Sequence, residues 1–263
     1  MAKKRIIPKL QFLPSRHVGE NISLVTTVQF EKIIEMGNPV SQAKIFEAQM
    51  ADELIFIDIS IYKNRASKTL ALEVLKEAAK RIFLPLTIGG GVSTVEDIRL
   101  FLNHGADKVC ITTQALESPD LIVNSSGVFG ASTIVVGIDY KQDEDGGKYV
   151  YSHGGQKKWN IDPVTWAMKV EDMGAGEILL TSISRDGTRS GLDIDTIRAV
   201  TDKVSIPVIA SGGCGLASHF SEGFLDGHCS AVASGTFFCF QDQNIMQTRS
   251  QVKNSGVDVR LRT

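Results

Sequence analysis

Residues 84–113 read LPLTIGGGVSTVEDIRLFLNHGADKVCITT, and this stretch decides the fold because its skeleton returns in residues 206–235, IPVIASGGCGLASHFSEGFLDGHCSAVASG. The matching positions, which need no gap, are Pro85, Gly90, Gly91, Gly105 and Thr112 in the first copy and Pro207, Gly212, Gly213, Gly227 and Ser234 in the second. Each copy reads as an apolar strand, a glycine turn, a helix, a second turn and a strand that ends in small residues. That order is a βαβ unit, and it occurs twice.

The remainder of the chain continues the same alternation. Strands are expected at residues 5–12, 53–60, 133–139 and 177–182, and helices at residues 39–50, 68–81, 119–127, 163–173, 193–201 and 244–255. Eight strands and eight helices, with no linker or shift in composition, predict a single (βα)8 TIM barrel over residues 1–263.

A wider self-similarity supports two similar half-barrels, because ADELIFIDIS (residues 51–60) resembles AGEILLTSIS (residues 175–184). A doubly wound open sheet is the alternative fold, but it gives no reason for a half-chain repeat. Two long connections remain. Residues 13–27 are expected to form an irregular, mobile loop over a site, and residues 141–160 a loop that contains a small hairpin.

Composition narrows the class of protein. A formal net charge of −2 argues against a nucleic-acid or anionic-membrane partner held by bulk electrostatics. The basic start MAKKRIIPKL has too short an apolar run for a signal peptide, and no stretch of about 18 apolar residues is present. The four cysteines form no C-x-x-C pair, which favours buried thiols over a disulfide or zinc site. We expect a cytoplasmic protein that uses no cofactor and no metal.

The carboxyl ends of barrel strands form the active face of such a fold, and glycine turns there let backbone N–H groups approach a phosphate. The repeat predicts two phosphate cradles, the first formed by Gly89, Gly90, Gly91, Thr112 and Thr113 and the second by Gly212, Gly213, Ser234 and Gly235. Further candidates for substrate binding are Thr181, Asp186 and Gly187, although Asp186 is as well suited to capping its loop. Two cradles across one mouth indicate a phosphorylated small molecule with a phosphate at each end; the alternative is plain turn geometry.

Asp139 is the candidate acid–base residue. It follows the apolar run IVVGI, so its carboxylate is expected to emerge at the active face beside apolar walls that raise its pKa. The alternative is a carboxylate that caps the following turn.

Four charged residues begin strands at the opposite end of the barrel. Arg5, Glu53, Lys108 and Glu177 share the inward face of their strands by period-two alternation, so two cations and two anions are expected to surround the bottom opening. A salt-bridge plug that stabilises the barrel and a gate are both consistent with this spacing.

Nearly the whole chain resembles the HisF family, the cyclase subunit of imidazole glycerol phosphate synthase. The runs that carry the resemblance are KRIIPKL, DELIFIDIS, TIGGGV, GADKVCITT, VVGIDYK, GAGEILLTSISRDGTRSG, PVIASGGCG and GVDVRL. The family implies a (βα)8 barrel docked by its bottom on a HisH-type glutaminase as a heterodimer, with ammonia entering through a charged gate and crossing the lumen. Arg5, Glu53, Lys108 and Glu177 match the family's gate, and Asp107 matches a glutaminase contact.

One catalytic position departs from the family. Its cyclases use an aspartate at the end of strand 1 and another at the end of strand 5; Asp139 matches the second, but Gln11 stands at the first. Lys9 adds an ammonium on the lumen side, where it needs a partner such as Asp139. Losing one of two acid–base carboxylates removes a factor of ~10²–10⁴ in rate, which argues against cyclase activity.

Barrel, cradles and gate without the strand 1 aspartate are similar to the HisF-like paralogues of the WbuZ type, associated with amidation of sugars in surface polysaccharide or lipopolysaccharide biosynthesis. The resemblance implies that a HisH-like glutaminase supplies ammonia and that a third protein, an amidotransferase, consumes it. Two alternatives remain open: a true imidazole glycerol phosphate synthase cyclase of histidine biosynthesis, and a non-catalytic scaffold that activates the glutaminase.

Overall fold

A computed structural model of the protein describes residues 3–16, 22–60, 68–240 and 244–260. Within these ranges the strands are β1 Arg5–Pro14, β2 Ile22–Val28, β3 Lys32–Gly37, β4 Leu54–Asp58, β5 Leu86–Gly89, β6 Lys108–Ile111, β7 Ile134–Gln142, β8 Lys148–Ser152, β9 Lys157–Lys158, β10 Glu177–Ser182, β11 Val208–Ser211 and β12 Ala231–Ser234. Eight of them pair in parallel in the order β10, β11, β12, β1, β4, β5, β6, β7, and β7 pairs with β10. The sheet is therefore a closed barrel.

Helices cover the outside of the barrel. They are α1 Pro39–Ala48, α2 Lys68–Ala79, α3 Val95–Asn103, α4 Thr113–Glu117, α5 Asp120–Phe129, α6 Pro163–Asp172, α7 Ile194–Thr201, α8 Ala217–Leu225, α9 Thr236–Phe240 and α10 Ile245–Asn254. Local sequence sets several starts: Asn38 and Asp162 cap α1 and α6 directly before a proline. The predicted (βα)8 TIM barrel is confirmed. None of the helices in the described ranges has both the length and the hydropathy needed to cross a bilayer.

Two apolar cores lie on the two faces of the barrel wall. The outer core packs the strands against the helices, with Phe56, Phe101 and Phe220 fully buried in it. The inner core lies in the lumen and spans more than one level, since two of its members belong to β12. It is formed by Ile7, Ile55, Cys110, Val135, Leu179, Ile209, Ala231 and Ala233. The period-two alternation predicted for β1, β4, β6 and β10 is thus observed. Alternate residues of each strand face opposite sides of the barrel wall.

The expectation of an irregular loop at residues 13–27 was wrong for its described part. β1 continues to Pro14 and pairs with β2, which pairs with β3, so this segment is an antiparallel extension of the barrel wall. The run ISLVTTV is rich in β-branched residues, and that strand signal was missed. Residues 17–21 lie outside the described ranges.

The second long connection forms the predicted hairpin. β7 runs beyond the barrel to Gln142 and pairs with β8, which in turn pairs with β9. The simple alternation of eight strands and eight helices also omitted the short helices α4 and α9, each of which begins directly after a barrel strand.

The two copies of the repeat are not equivalent in their second strands. Cys110 faces the lumen in β6, whereas its counterpart Val232 lies in the outer core, and its neighbours Ala231 and Ala233 face inward instead. The gap-free sequence match therefore aligns inward-facing residues of β6 with outward-facing residues of β12.

Phe220→Ala tests the outer core. Phe220 is fully buried and its ring centroid lies 5.1 Å from that of Phe237, so the truncation leaves a cavity and should lower the free energy of unfolding by about 3–5 kcal/mol. Urea denaturation measures the change. Phe83, 88% exposed, is the matched control, and Phe83→Ala should stay within about 0.5 kcal/mol. Equal losses in the two variants would contradict this packing.

Candidate active site

A cavity of about 420 Å³ opens at the carboxyl ends of the barrel strands. Polar side chains line its floor, among them Lys9, Gln11, Asp139 and Thr181. Apolar side chains form part of its wall, including Ile57 at the end of β4. A concave site with apolar walls and a few convergent polar groups is the usual form of a small-molecule site.

The two antiparallel extensions roof this cavity. Thr27, Phe30 and Ile33 reach it from the β2–β3 hairpin, and the turn after β8 contributes its own residues, including His153. The extensions also meet, since a Cβ atom built on Gly155 would lie 3.6 Å from the Phe30 ring. The sequence reasoning missed Thr27 because it assigned residues 13–27 to a loop, and it assigned no role to Phe30. The β-branched residues of the ISLVTTV run were the signal that identifies the strand.

Asp139 lies where the sequence predicted, at the point where β7 leaves the barrel. Protein surrounds its side chain, which keeps some accessible surface only because it lines the cavity. Burial raises the pKa of Asp139 to about 7, the nearby Lys9 ammonium works against this rise, and the charge of Asp186 adds to it. A carboxyl group with a pKa near 7 can both accept and donate a proton at neutral pH.

Lys9 is buried and has a carboxylate partner. Its Nζ lies 3.9 Å from Oδ1 of Asp186, while its charge also acts on Asp139. Burial raises the pKa of Asp186, and Lys9 together with a 2.5 Å hydrogen bond from the Thr27 hydroxyl opposes that rise. Lys9 thus pairs with Asp186, whereas the expected partner Asp139 interacts with it only through its charge.

Gln11 occupies the strand 1 position on the same inward face as Lys9. Its side-chain carbonyl oxygen lies 3.3 Å from the Thr27 hydroxyl, whose single proton is directed mainly at the closer Asp186 carboxyl group. An amide side chain does not titrate near neutral pH, so Gln11 cannot act as a general acid or base. In this arrangement Gln11 positions neighbouring groups such as Thr27, and Asp139 carries the acid–base chemistry.

The two predicted cradles are placed differently. Gly90, Gly91, Thr112 and Thr113 line the cavity, and Gly89 lies within β5 against the Ile57 side chain. In the second cradle Gly212, Gly213 and Ser234 are buried, Gly235 is half-buried, and none of the four belongs to the cavity wall formed by the described residues. Phosphate binding at either cradle stays a prediction.

Asp186 and Gly187, in the loop after β10, contact the β2–β3 hairpin at Thr27. A Cβ atom at Gly187, whose φ is +70°, would lie 2.0 Å from the carbonyl oxygen of Thr27. Glycine is therefore required where the hairpin backbone passes the loop. Thr181 donates a hydrogen bond to Asp139 from the end of β10.

The four charged residues at the bottom form a closed ring of ion pairs. Arg5 Nη1 lies 2.7 Å from Glu53 Oε1, and its other terminal nitrogen pairs with Glu177. Lys108 Nζ lies 3.1 Å from Glu53 and 2.8 Å from Glu177. Each cation thus contacts both anions, and the ring closes the lumen at the amino ends of the strands.

For Glu53 and Arg5, attraction to the opposite charges of the ring outweighs the effect of burial on the pKa. Burial alone would raise the pKa of Glu53, but the Arg5 and Lys108 charges hold it below its ordinary value. The pKa of Arg5 is raised by Glu177 and Glu53 although burial opposes the rise. Asp107 is exposed beside the ring, and its carboxylate accepts a hydrogen bond from the Leu86 N–H.

Among the residues that the structure describes, the cavity has neither a candidate metal centre nor a reactive thiol. Within the described ranges, no group of three or more His, Cys, Asp or Glu side chains is placed to hold a metal ion. Cys110 faces the lumen, and burial raises the pKa of its thiol to about 12, so the thiolate is scarce at neutral pH.

A closed (βα)8 barrel with a carboxyl-containing cavity at the carboxyl ends of its strands has the architecture of the TIM-barrel enzymes. Residues 5–244 match the family described as "Histidine biosynthesis protein". The chain is also 43% identical, over 262 residues and 99% of both chains, to a protein of Prochlorococcus marinus (strain MIT 9313) that carries the provisional name imidazole glycerol phosphate synthase subunit hisF2. The chain belongs to the histidine biosynthesis protein family and is a HisF-like barrel subunit within it.

Asp139→Asn tests the raised pKa. The folded protein keeps a proton on Asp139 up to about pH 7, whereas the unfolded chain loses it near pH 4, so wild-type stability falls as pH rises through this window. The Tm of Asp139→Asn relative to wild type should therefore increase between pH 5 and 7 and then level off. Asp195→Asn, exposed on α7, is the control. A pH-independent difference in Tm would contradict the assignment.

Glu177→Gln tests the ring. Losing one anion leaves Arg5 and Lys108 to share Glu53, and removal of one partner from a buried ion pair lowers the free energy of unfolding by about 3–5 kcal/mol. Glu77→Gln, which disrupts the exposed pair with Lys80 on the outer face of α2, should change nothing measurable in the same denaturation experiment. A Glu177→Gln variant as stable as wild type would show that the ring does not hold the barrel bottom together.

Proposed function

We propose that this protein is the barrel subunit of a glutamine amidotransferase that receives ammonia from a HisH-like glutaminase and supports amidation of a sugar precursor in polysaccharide or lipopolysaccharide biosynthesis. The observation that carries the proposal is the order of residues along the barrel interior: a charged ring at the bottom, an apolar section, and a polar cavity at the top.

The ring suits the role of a gate. It joins cations and anions in equal number, so exchange of partners within the ring opens a space without leaving a charge unpaired. The apolar section above it favours neutral ammonia over the ammonium ion, because burying an unpaired ion among apolar groups is highly unfavourable. Asp107, exposed beside the ring, fits a contact with the glutaminase.

The cavity supports a reaction other than the family's cyclisation. Asp139 supplies the cavity with a carboxyl group whose pKa is about 7, whereas the strand 1 position holds the amide of Gln11. The added ammonium of Lys9 makes the floor more polar and ties Asp186 to the site. A third protein, an amidotransferase, then completes transfer to a sugar, and the barrel delivers ammonia and holds a phosphorylated ligand.

A second candidate is the cyclase of histidine biosynthesis. It is favoured by the 43% identity, over nearly the full length of both chains, to a protein named as an imidazole glycerol phosphate synthase subunit. It requires that Asp139, with the help of Lys9 or water, carry out both proton transfers. A scaffold that only activates the glutaminase is the third.

Channelling is tested with the barrel and its glutaminase in complex, together with a cell extract that supplies the sugar precursors. Glutamine labelled with ¹⁵N in its amide, in the presence of excess unlabelled ammonium, should give ¹⁵N-labelled amidated sugar by mass spectrometry. Lys108→Ala and Arg5→Ala should each reduce label incorporation about tenfold or more, because both break the ring that regulates entry.

Lys80→Ala on α2 is the matched control, since Lys80 forms an exposed ion pair far from the lumen. Product formation that Lys108→Ala and Arg5→Ala both leave untouched would refute the proposal. Faster glutamine hydrolysis with no labelled sugar, unaffected by Asp139→Asn, would support the scaffold instead.

The cyclase alternative has its own assay. The phosphoribulosyl substrate of that pathway and ammonium salts are supplied, and absorbance reports turnover. We expect none from the wild type, because Gln11 cannot exchange a proton. Turnover that disappears in Asp139→Asn would establish the cyclase and set the sugar assignment aside.

A further inference from the structure

The second phosphate cradle is covered by the protein itself. A Cβ atom at Gly213 would lie 2.1 Å from the carbonyl oxygen of Gly191, and the Gly191 N–H donates a 2.9 Å hydrogen bond to the Gly213 carbonyl. Arg185 reaches over the same place and donates to the Gly191 carbonyl at 3.3 Å. The loop after β10 thus occupies the space above the glycine pair at the end of β11.

The β2–β3 hairpin is hydrogen-bonded to that same loop after β10. The Gln29 N–H donates to the Asp186 carbonyl at 2.8 Å, and the Gln29 side chain donates to the Ser184 carbonyl at 2.9 Å. On the other extension, Gly155 packs against Ile183 and Phe30. These contacts join the β2–β3 hairpin and the turn after β8 to the loop after β10, next to the second cradle. The cavity wall instead includes Gly90, Gly91, Thr112 and Thr113, which follow β5 and β6.

The first cradle differs in each of these respects. Gly90 and Gly91 are half-buried and line the cavity, as do Ser93 and the hydroxyl-bearing Thr112 and Thr113. Backbone groups at glycines with positive φ, +101° and +69°, together with neighbouring hydroxyls, suit a phosphate oxygen set. Lys9 and Gln11 lie elsewhere in the same cavity wall, at the polar floor.

We infer that this barrel takes a ligand with a single phosphate-type end, bound at the first cradle, whose uncharged polar end reaches Lys9, Gln11 and Asp139, and that the second cradle binds no phosphate. A sugar carrying one phosphate or one diphosphate linkage belongs to this class, and a linear substrate with a phosphate at each end does not. The inference rests on the proposed function for the identity of the sugar, but not for the number of phosphates.

Phosphate binding is measured directly on the full chain without a partner, so failure of the glutamine assay and failure of this inference are separable. Isothermal titration with ribose 5-phosphate should give one site per chain, and fructose 1,6-bisphosphate should bind no more than about twofold tighter, the statistical advantage of two equivalent ends. Thr112→Val, which removes one cradle hydroxyl, should weaken binding about tenfold, and Thr112→Ser should restore it.

Ser234→Ala is the comparison variant at the second cradle, because Ser234 ends β12 there and aligns with Thr112 in sequence, although the two side chains lie on opposite faces of their strands. It should leave the affinity unchanged. If Thr112→Val does not fold, amide chemical shifts of the wild type with inorganic phosphate decide: Gly90 and Gly91 should move and Gly212 and Gly213 should not. Two sites per chain, tenfold tighter bisphosphate binding, an effect of Ser234→Ala equal to that of Thr112→Val, or no binding would each overturn the inference.

Discussion

Closure of the barrel by the β7–β10 ladder is the constraint on which the rest of the structure depends. Once eight parallel strands close, every second residue of each strand must share one narrow interior, and successive positions along the strands become layers. The ring of Arg5, Glu53, Lys108 and Glu177, the apolar section above it and the polar floor of the cavity follow one another along this interior. A substitution in any of the three therefore changes the path between the bottom and the top of the barrel.

The polar floor is where the family resemblance predicts that this chain departs from the family's cyclases. Gln11 and Lys9 lie on the inward face of β1; Gln11 has no titrating group, and Lys9 Nζ lies 3.9 Å from the Asp186 carboxylate. Burial of Asp139 outweighs the attraction of Lys9 and raises its pKa to about 7. The floor thus has one carboxyl group with a pKa near neutrality, on β7, and an amide on β1.

The sequence allowed the barrel, the ring and the position of Asp139 to be predicted, because each follows from local periodicity or from a repeat. The inward placement of Lys108 and Glu177 needs only alternation along a strand, and the ion pairs then follow from closure. The roof could not be derived in this way. Its contacts, such as Thr27 with Asp186, join residues far apart in sequence through an antiparallel extension whose strand signal was read as a loop. The unequal exposure of the two cradles has the same origin, since the loop after β10 and the β2–β3 hairpin cover only one of them.

The most direct test of the central claim, that ammonia crosses the interior of the barrel, is to narrow the apolar section and compare two nitrogen sources. Ala233 is a small inner-core residue that pairs with Ile7, above the ring, and Ala233→Leu adds three carbon atoms to the lumen. The measured quantity is the ratio of glutamine-supported to ammonium-supported amidation in the complex with the glutaminase, which cancels any general loss of stability. The account predicts that this ratio falls severalfold in Ala233→Leu, because external ammonium reaches the cavity from the top. An unchanged ratio would contradict an interior path.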